Sequence, residues 1–140
     1  MAAHSETFRL STKRGPEARD ITREVTSAVA KSGIRDGLAC VFTPSSTSAI
    51  LTNEFEPGLM AEDIPAALER LFPESLGYGH ERRWGDGNGY AHVRASLLGS
   101  SLVVPFSARQ LQLGTWQQII VADFDNRPRS REIVLQIIGE

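Results

Sequence analysis

The stretch that most constrains the fold is the last one, TWQQIIVADFDNRPRSREIVLQIIGE, from Thr115 to Glu140. Two runs rich in β-branched residues flank the polar cluster DNRPRS, which reads as a turn. Ile119 and Val121, with Trp116 before them, and then Ile133, Leu135 and Ile137 mark strands with a buried face. Two strands do not stand alone in water, so the rest of the chain must supply partner strands and a cover. Trp116 is read here as a core residue. Gln117 is polar in an apolar strand, and reads either as a structural anchor or as a site residue.

The upstream sequence supplies those partners. ETFRLST alternates Phe8 and Leu10 with polar neighbours and predicts a first strand, with residues 1–5 as a loose tail. KRGPEARD breaks it at Gly15 and Pro16. DITREVTSAVAKSG places Ile21, Val25, Ala28 and Val29 on one helical face, with Asp20 to cap it and Gly33 to close it. GLACVFTP and SAILTNEFE predict two more strands around a PSST loop. LMAEDIPAALERLFP predicts a helix with Leu59, Ile64, Leu68, Leu71 and Phe72 inward, its first turn near Asp63 or Ile64 because Pro65 suits that place. GYAHVRASLLG predicts a short helix capped by Asn88 and stopped by Gly99, and SSLVVPF and RQLQLG predict strands. The expectation is one α+β domain over residues 1–140, mainly antiparallel sheets with two or three helices.

Composition excludes several classes. A net charge of -2 over 140 residues argues against electrostatic nucleic-acid binding. No apolar run approaches the ~18 residues of a membrane span. The single cysteine, Cys40, cannot form an internal disulfide and reads as a small core residue. With no apolar signal region at the N-terminus, a cytoplasmic protein is expected. Arg127, Arg129 and Arg131 form a basic cluster that reads as a solvated turn or as an anion site.

Chemistry-bearing residues concentrate in YGHERRWGDGNGYAH, Tyr78 to His92. His80 and His92 are separated by eleven residues, which is not a recognised metal-ligand spacing. Glu81, Asp86 and Glu54 are candidate oxygen ligands or bases, and Asn88 can orient a ligand. A second candidate is PSSTSA, Pro44 to Ala49, whose hydroxyls and backbone N–H groups either hold an anion or satisfy their own turn. No Walker loop or Gly-x-Ser-x-Gly elbow is present.

Taken together, NEFEPGLMAED, YGH, GDGNGYAHVRASLLGSSLVVPF and LQLGTWQQIIVADFDNRPRSREIVLQIIGE resemble the YjbQ-like family over about residues 6–140. The resemblance implies an α+β fold with a β-sandwich-like core, and a homotrimer with a site near a subunit boundary. It implies a secondary thiamine-phosphate synthase activity, the weak joining of a pyrimidine pyrophosphate to a thiazole phosphate. It further implies a divalent metal, zinc or magnesium, held in some members by three histidines. Carried over to this sequence, His80 and His92 are metal ligands, and Asp86, Glu54 and Asn88 are catalytic. Ser45, Thr47, Asn53 and Gln117 touch a small phosphate-containing substrate. The third family histidine falls at Ser45, in Pro44-Ser45-Ser46-Thr47-Ser48-Ala49, and neutral serine is a poor zinc ligand. The other reading is a trimeric anion-binding or small-molecule-binding protein without turnover.

Overall fold

In the computed structural model, which describes residues 1–140, every sheet contact is antiparallel. The strands are β1 (Ala2–Thr12), β2 (Glu17–Asp20), β3 (Gly37–Phe42), β4 (Ser48–Asn53), β5 (Ser101–Ser107), β6 (Gln110–Leu111), β7 (Gln118–Asp123) and β8 (Arg129–Gly139). The helices are α1 (Thr22–Ser32), α2 (Ile64–Leu71), α3 (Gly79–Trp84) and α4 (Gly89–Leu98). A π-helical turn, Leu59–Asp63, leads into α2. Five strands form one sheet in the order β1-β8-β3-β5-β6, and three form a second in the order β2-β7-β4. The α+β reading holds, with four helices rather than two or three.

Two apolar clusters explain the layering. The larger one joins Val25, Ala28 and Val29 of α1 to Val41, Ile119, Val121, Ile133, Leu135 and Ile137, drawn from both sheets. The smaller one lies on the other face of the three-stranded sheet. There Ala49, Ala122 and Phe124 meet Leu68 of α2 and Tyr90, Ala91 and Ala95 of α4. That sheet is thus covered on both sides, which is why β7 is buried at every position from Ile119 to Asp123. Helix α1 has Ile21 rather than Asp20 at its N-cap, with Asp20 bonding the first helical residue from just outside. Asp20 Oδ1 accepts from the Thr22 N–H at 2.9 Å and the Thr22 hydroxyl at 2.6 Å, and Gly33 closes the helix in a left-handed conformation.

Five expectations need correction. Residues 2–5 are strand, not tail, because β8 runs to Gly139 and its backbone groups pair with Ala2, Ala3, His4 and Ser5. The segment KRGPEARD contains a strand of its own, β2, which pairs with β7. Trp116 is 69% exposed, because the chain is still turning there and β7 starts only at Gln118. Cys40 is half-buried; it lies on the side of β3 opposite the core residues Ala39 and Val41. Leu71 is exposed, leaving Leu68 as the buried residue of α2. No helix is long and apolar enough to cross a membrane.

Candidate functional site

The two sheets are joined at one end, where the chain crosses between them. The β3–β4 loop crosses there, and so does the β7–β8 turn. The two crossings are tied by Phe124 N–H donating to Thr47 O at 3.0 Å. Helices α3 and α4 stand over this end. A cavity of about 440 Å³ opens between them, bounded by Ser45, Thr47, His80, Asp86, Asn88 and His92. Asp125, Arg129 and Arg131 line it from the turn side, and Trp84, 76% exposed, stands at its edge.

The floor is an ion network built on the crossings. Arg131 grips Asp123 with two bonds, Nε to Oδ2 at 2.6 Å and Nη2 to Oδ1 at 2.8 Å. The same guanidinium donates to Ser45 Oγ and Thr47 Oγ1, both at 2.8 Å. Thr12 donates to Asp123 Oδ2 at 2.7 Å, so β1 joins the network. Asp125 Oδ2 accepts from Thr47 Oγ1 at 3.0 Å and from Arg129 Nε at 2.8 Å. Burial pushes the Asp125 carboxyl up, but hydrogen bonds from Arg129, Thr47, Asn88 and the Asn126 N–H outweigh it and hold it below the ordinary carboxylate value. Arg129 has no bond within the chain from its two terminal nitrogens, and the residue lines the cavity.

Ser45 deserves separate accounting, because its oxygen accepts twice. Arg131 Nη1 donates to it at 2.8 Å and the Thr47 N–H at 3.2 Å. A hydroxyl has two lone pairs, so what remains for a ligand is its proton. Ser45 therefore faces the cavity as a donor.

The opposite wall is an imidazole pair. The His80 and His92 rings lie 4.3 Å apart between centroids and are tilted by 35°. Their approach depends on Gly89 at the start of α4. A Cβ there would stand 2.5 Å from Tyr78 Cβ, so only glycine lets α3 close on α4. Asp86 Oδ1 lies 3.2 Å from His80 Nδ1, close enough to pair with a protonated ring but without an aligned hydrogen bond. Asn88 sits between two carboxylates. Its amide nitrogen is 3.4 Å from Asp125 Oδ1, and the flipped amide reaches Asp86 at 3.1 and 3.3 Å instead. Burial, then the neighbouring His80, lower the His92 pKa; Asp86 and Asp125 oppose this without cancelling it. His92 is thus neutral at pH 7 and able to accept a proton.

Comparison with known proteins places the chain. The family model described as "UPF0047 protein YjbQ-like" matches residues 6–140. The chain belongs to the YjbQ-like family. A UPF0047 protein of Archaeoglobus fulgidus is 43% identical over 129 residues, covering 92% of this chain and 97% of the relative. One from Methanothermobacter thermautotrophicus is 41% identical over 140 residues, covering 100% and 95%. The crystal structure of a YbjQ-like protein of unknown function from Sulfolobus solfataricus superposes with a TM-score of 0.87 at 34% identity, covering 99% of this chain and 100% of that one.

Within this YjbQ-like fold, six of the nine residues carried over from the family resemblance share the cavity, Ser45, Thr47, His80, Asp86, Asn88 and His92, while Glu81, the other acid read as a candidate ligand, instead accepts from the Gly89 N–H at 3.2 Å. Asn53, Glu54 and Gln117 do not line the cavity either. Asn53 ends β4 while Ser48 begins it, and a strand of that length separates its ends by about 17 Å. Asn53 Oδ1 accepts from the Glu54 N–H at 2.8 Å; Gln117 Oε1 accepts from the Gly114 N–H at 2.8 Å. Both bonds are local, and Gln117 is an anchor of its own turn. Sequence reasoning missed Asp123 and Asp125 and undervalued Arg129 and Arg131. The available signal was two acids in a buried run, VADFD, since buried carboxylates require cationic or hydrogen-bonding partners.

A zinc centre of the three-ligand kind does not fit these residues. Two imidazoles converge, but no group of three His, Cys, Asp or Glu side chains is placed to hold a metal ion. Ser45 cannot complete the set, because N–H donors already occupy its lone pairs.

Proposed function

We propose that the cavity binds a small phosphate-bearing molecule and that His92 serves it as a proton acceptor. One observation carries this reading: Arg129, whose terminal nitrogens are unpaired within the chain, and Ser45, whose oxygen already accepts twice, both line the cavity and have only donors to offer, beside the neutral His92 imidazole. Phosphate oxygens are acceptors, and a guanidinium suits them. Asp123 and Asp125 are already compensated by arginine and threonine bonds, so they repel an incoming anion less than their charge suggests. Asp86 is the one rim carboxylate, and it lies against the His80 ring, 3.2 Å from Nδ1.

The weak joining of a pyrimidine pyrophosphate to a thiazole phosphate is the catalytic form of this proposal. Both reactants carry phosphate, and the released pyrophosphate is an anion that Arg129 and Ser45 would stabilise. Asp86 and Asn88 would hold the imidazole wall. A homotrimer is the assembly we propose with it. It is supported by the exposed apolar residues Leu38, Phe42, Val103 and Ile138, which adjoin across β3, β5 and β8 on the five-stranded sheet. Sedimentation equilibrium reads three copies or fewer.

The site itself is tested by calorimetric titration with inorganic phosphate. Arg129→Gln should weaken binding by at least about tenfold, the value of one charge-assisted hydrogen bond. Equal binding by the variant, or none by the wild type, overturns the proposal.

A further inference from the structure

Adjoining the cavity at His92 is a second, outer chamber of about 270 Å³. Ser45, Ser46 and His92 face both. The outer chamber is walled by Ser48, Ser96 and Ser100, with Ala95 as its only apolar side chain and no arginine or lysine.

The hydrogen-bonding sense differs between the two chambers. The inner one presents donors from Arg129 and Ser45. In the outer one, the Ser96 hydroxyl donates to the His92 carbonyl at 2.8 Å, which commits its proton and leaves its lone pairs for a ligand. The Ser46 and Ser100 hydroxyls bind nothing within the chain and can serve in either sense. A second phosphate placed there would find lone pairs and no cation. An aromatic body would find no apolar wall. A body bearing hydroxyl groups would find partners for both its donors and its acceptors.

We infer that the ligand is a phosphate ester of a hydroxyl-rich body, a sugar or polyol phosphate, with the phosphate in the inner chamber and the hydroxyls in the outer one. This rests on the phosphate-binding reading above but not on its thiazole-phosphate form, whose aromatic ring the serine-lined chamber does not suit.

The test compares inorganic phosphate, ribose and ribose 5-phosphate by calorimetry, on the wild type and on a Ser96→Ala, Ser100→Ala variant. Ribose 5-phosphate should bind about tenfold tighter than inorganic phosphate, as two added hydrogen bonds would give. The double variant should erase that gain. Both substitutions remove an accessible hydroxyl, and Ser96→Ala also its bond to the His92 carbonyl; a melting curve checks the fold, and Ser46→Ala repeats the test should the double variant fail it. If ribose 5-phosphate binds no tighter than phosphate, or the gain survives the substitutions, the inference falls and the phosphate reading stands. If inorganic phosphate does not bind, both fall.

Discussion

Arg131→Met removes the guanidinium at the centre of the site floor while keeping most of the side-chain volume. Asp123 is fully buried and the Arg131 side chain is 11% exposed, so the pair lies in a poorly solvated environment. Removing one partner of such a pair leaves an uncompensated buried charge, at a cost of about 3–5 kcal/mol. A domain of this size is stable by roughly 7–15 kcal/mol, so the variant should fold but lose a large share of its margin. The melting temperature should fall by roughly 10–20 °C at about 3–5 °C per kcal/mol. Thermal and urea unfolding followed by circular dichroism would read this. Adding Asp123→Asn removes the stranded charge, so the double variant should be more stable than the sum of the two single losses by at least about 1 kcal/mol. A loss below about 1 kcal/mol for Arg131→Met, or strictly additive single effects, would refute the claim that this pair joins the two sheets.

Three shorter predictions concern the turn, the imidazoles and metal. Ala108 and Arg109 both have positive φ, 50° and 64°, in the tight hairpin between β5 and β6. Ala108→Gly should relieve left-handed strain and raise stability by about 0.5–1 kcal/mol, and an unchanged or lower melting temperature contradicts that. In a proton NMR titration His92 should show a midpoint below 6.5, moving up in His80→Gln and down in Asp86→Asn, because His80 lowers it and Asp86 raises it. With a depressed folded-state value the native protein binds fewer protons than the unfolded chain, so the His92 contribution to stability declines as pH falls from 6.5 through that value. Tag-free protein equilibrated with zinc and desalted should retain clearly less than one equivalent. A full equivalent that disappears in His80→Gln would show that two imidazoles suffice.

The strands other than β2, and α1, were legible because their apolar residues keep a period of two or of 3.6, and packing enforces both. Helix α3 was not legible. GHERRW has no buried residue, so nothing in its sequence marks a face, and it stands where Gly89 lets it close on α4. Residues 2–5 were misread because their order comes from backbone pairing with β8, which no side-chain pattern reports. The imidazole wall could be read because His80, Asp86, Asn88 and His92 are close in sequence. The floor could not. Arg131 reaches Asp123 across eight residues but Ser45 across 86, and that second distance closes only after both crossings are folded. The misreading of Trp116 has a simpler cause: a large apolar residue beside a strand was counted into it.

The two walls of the cavity have different histories open to them. Asp123, Arg131 and Thr12 belong at once to the site and to the seam between sheets, so changing the floor risks unfolding the chain. His80, Trp84 and Asp86 sit on or beside a short helix with no buried residue, where substitution risks little beyond the ligand. A lineage adapting this pocket to a new molecule would therefore rewrite one side and inherit the other. On the rewritten side, single substitutions in and beside α3 reach new ligands, while the Asp123–Arg131 pair beneath them stays fixed.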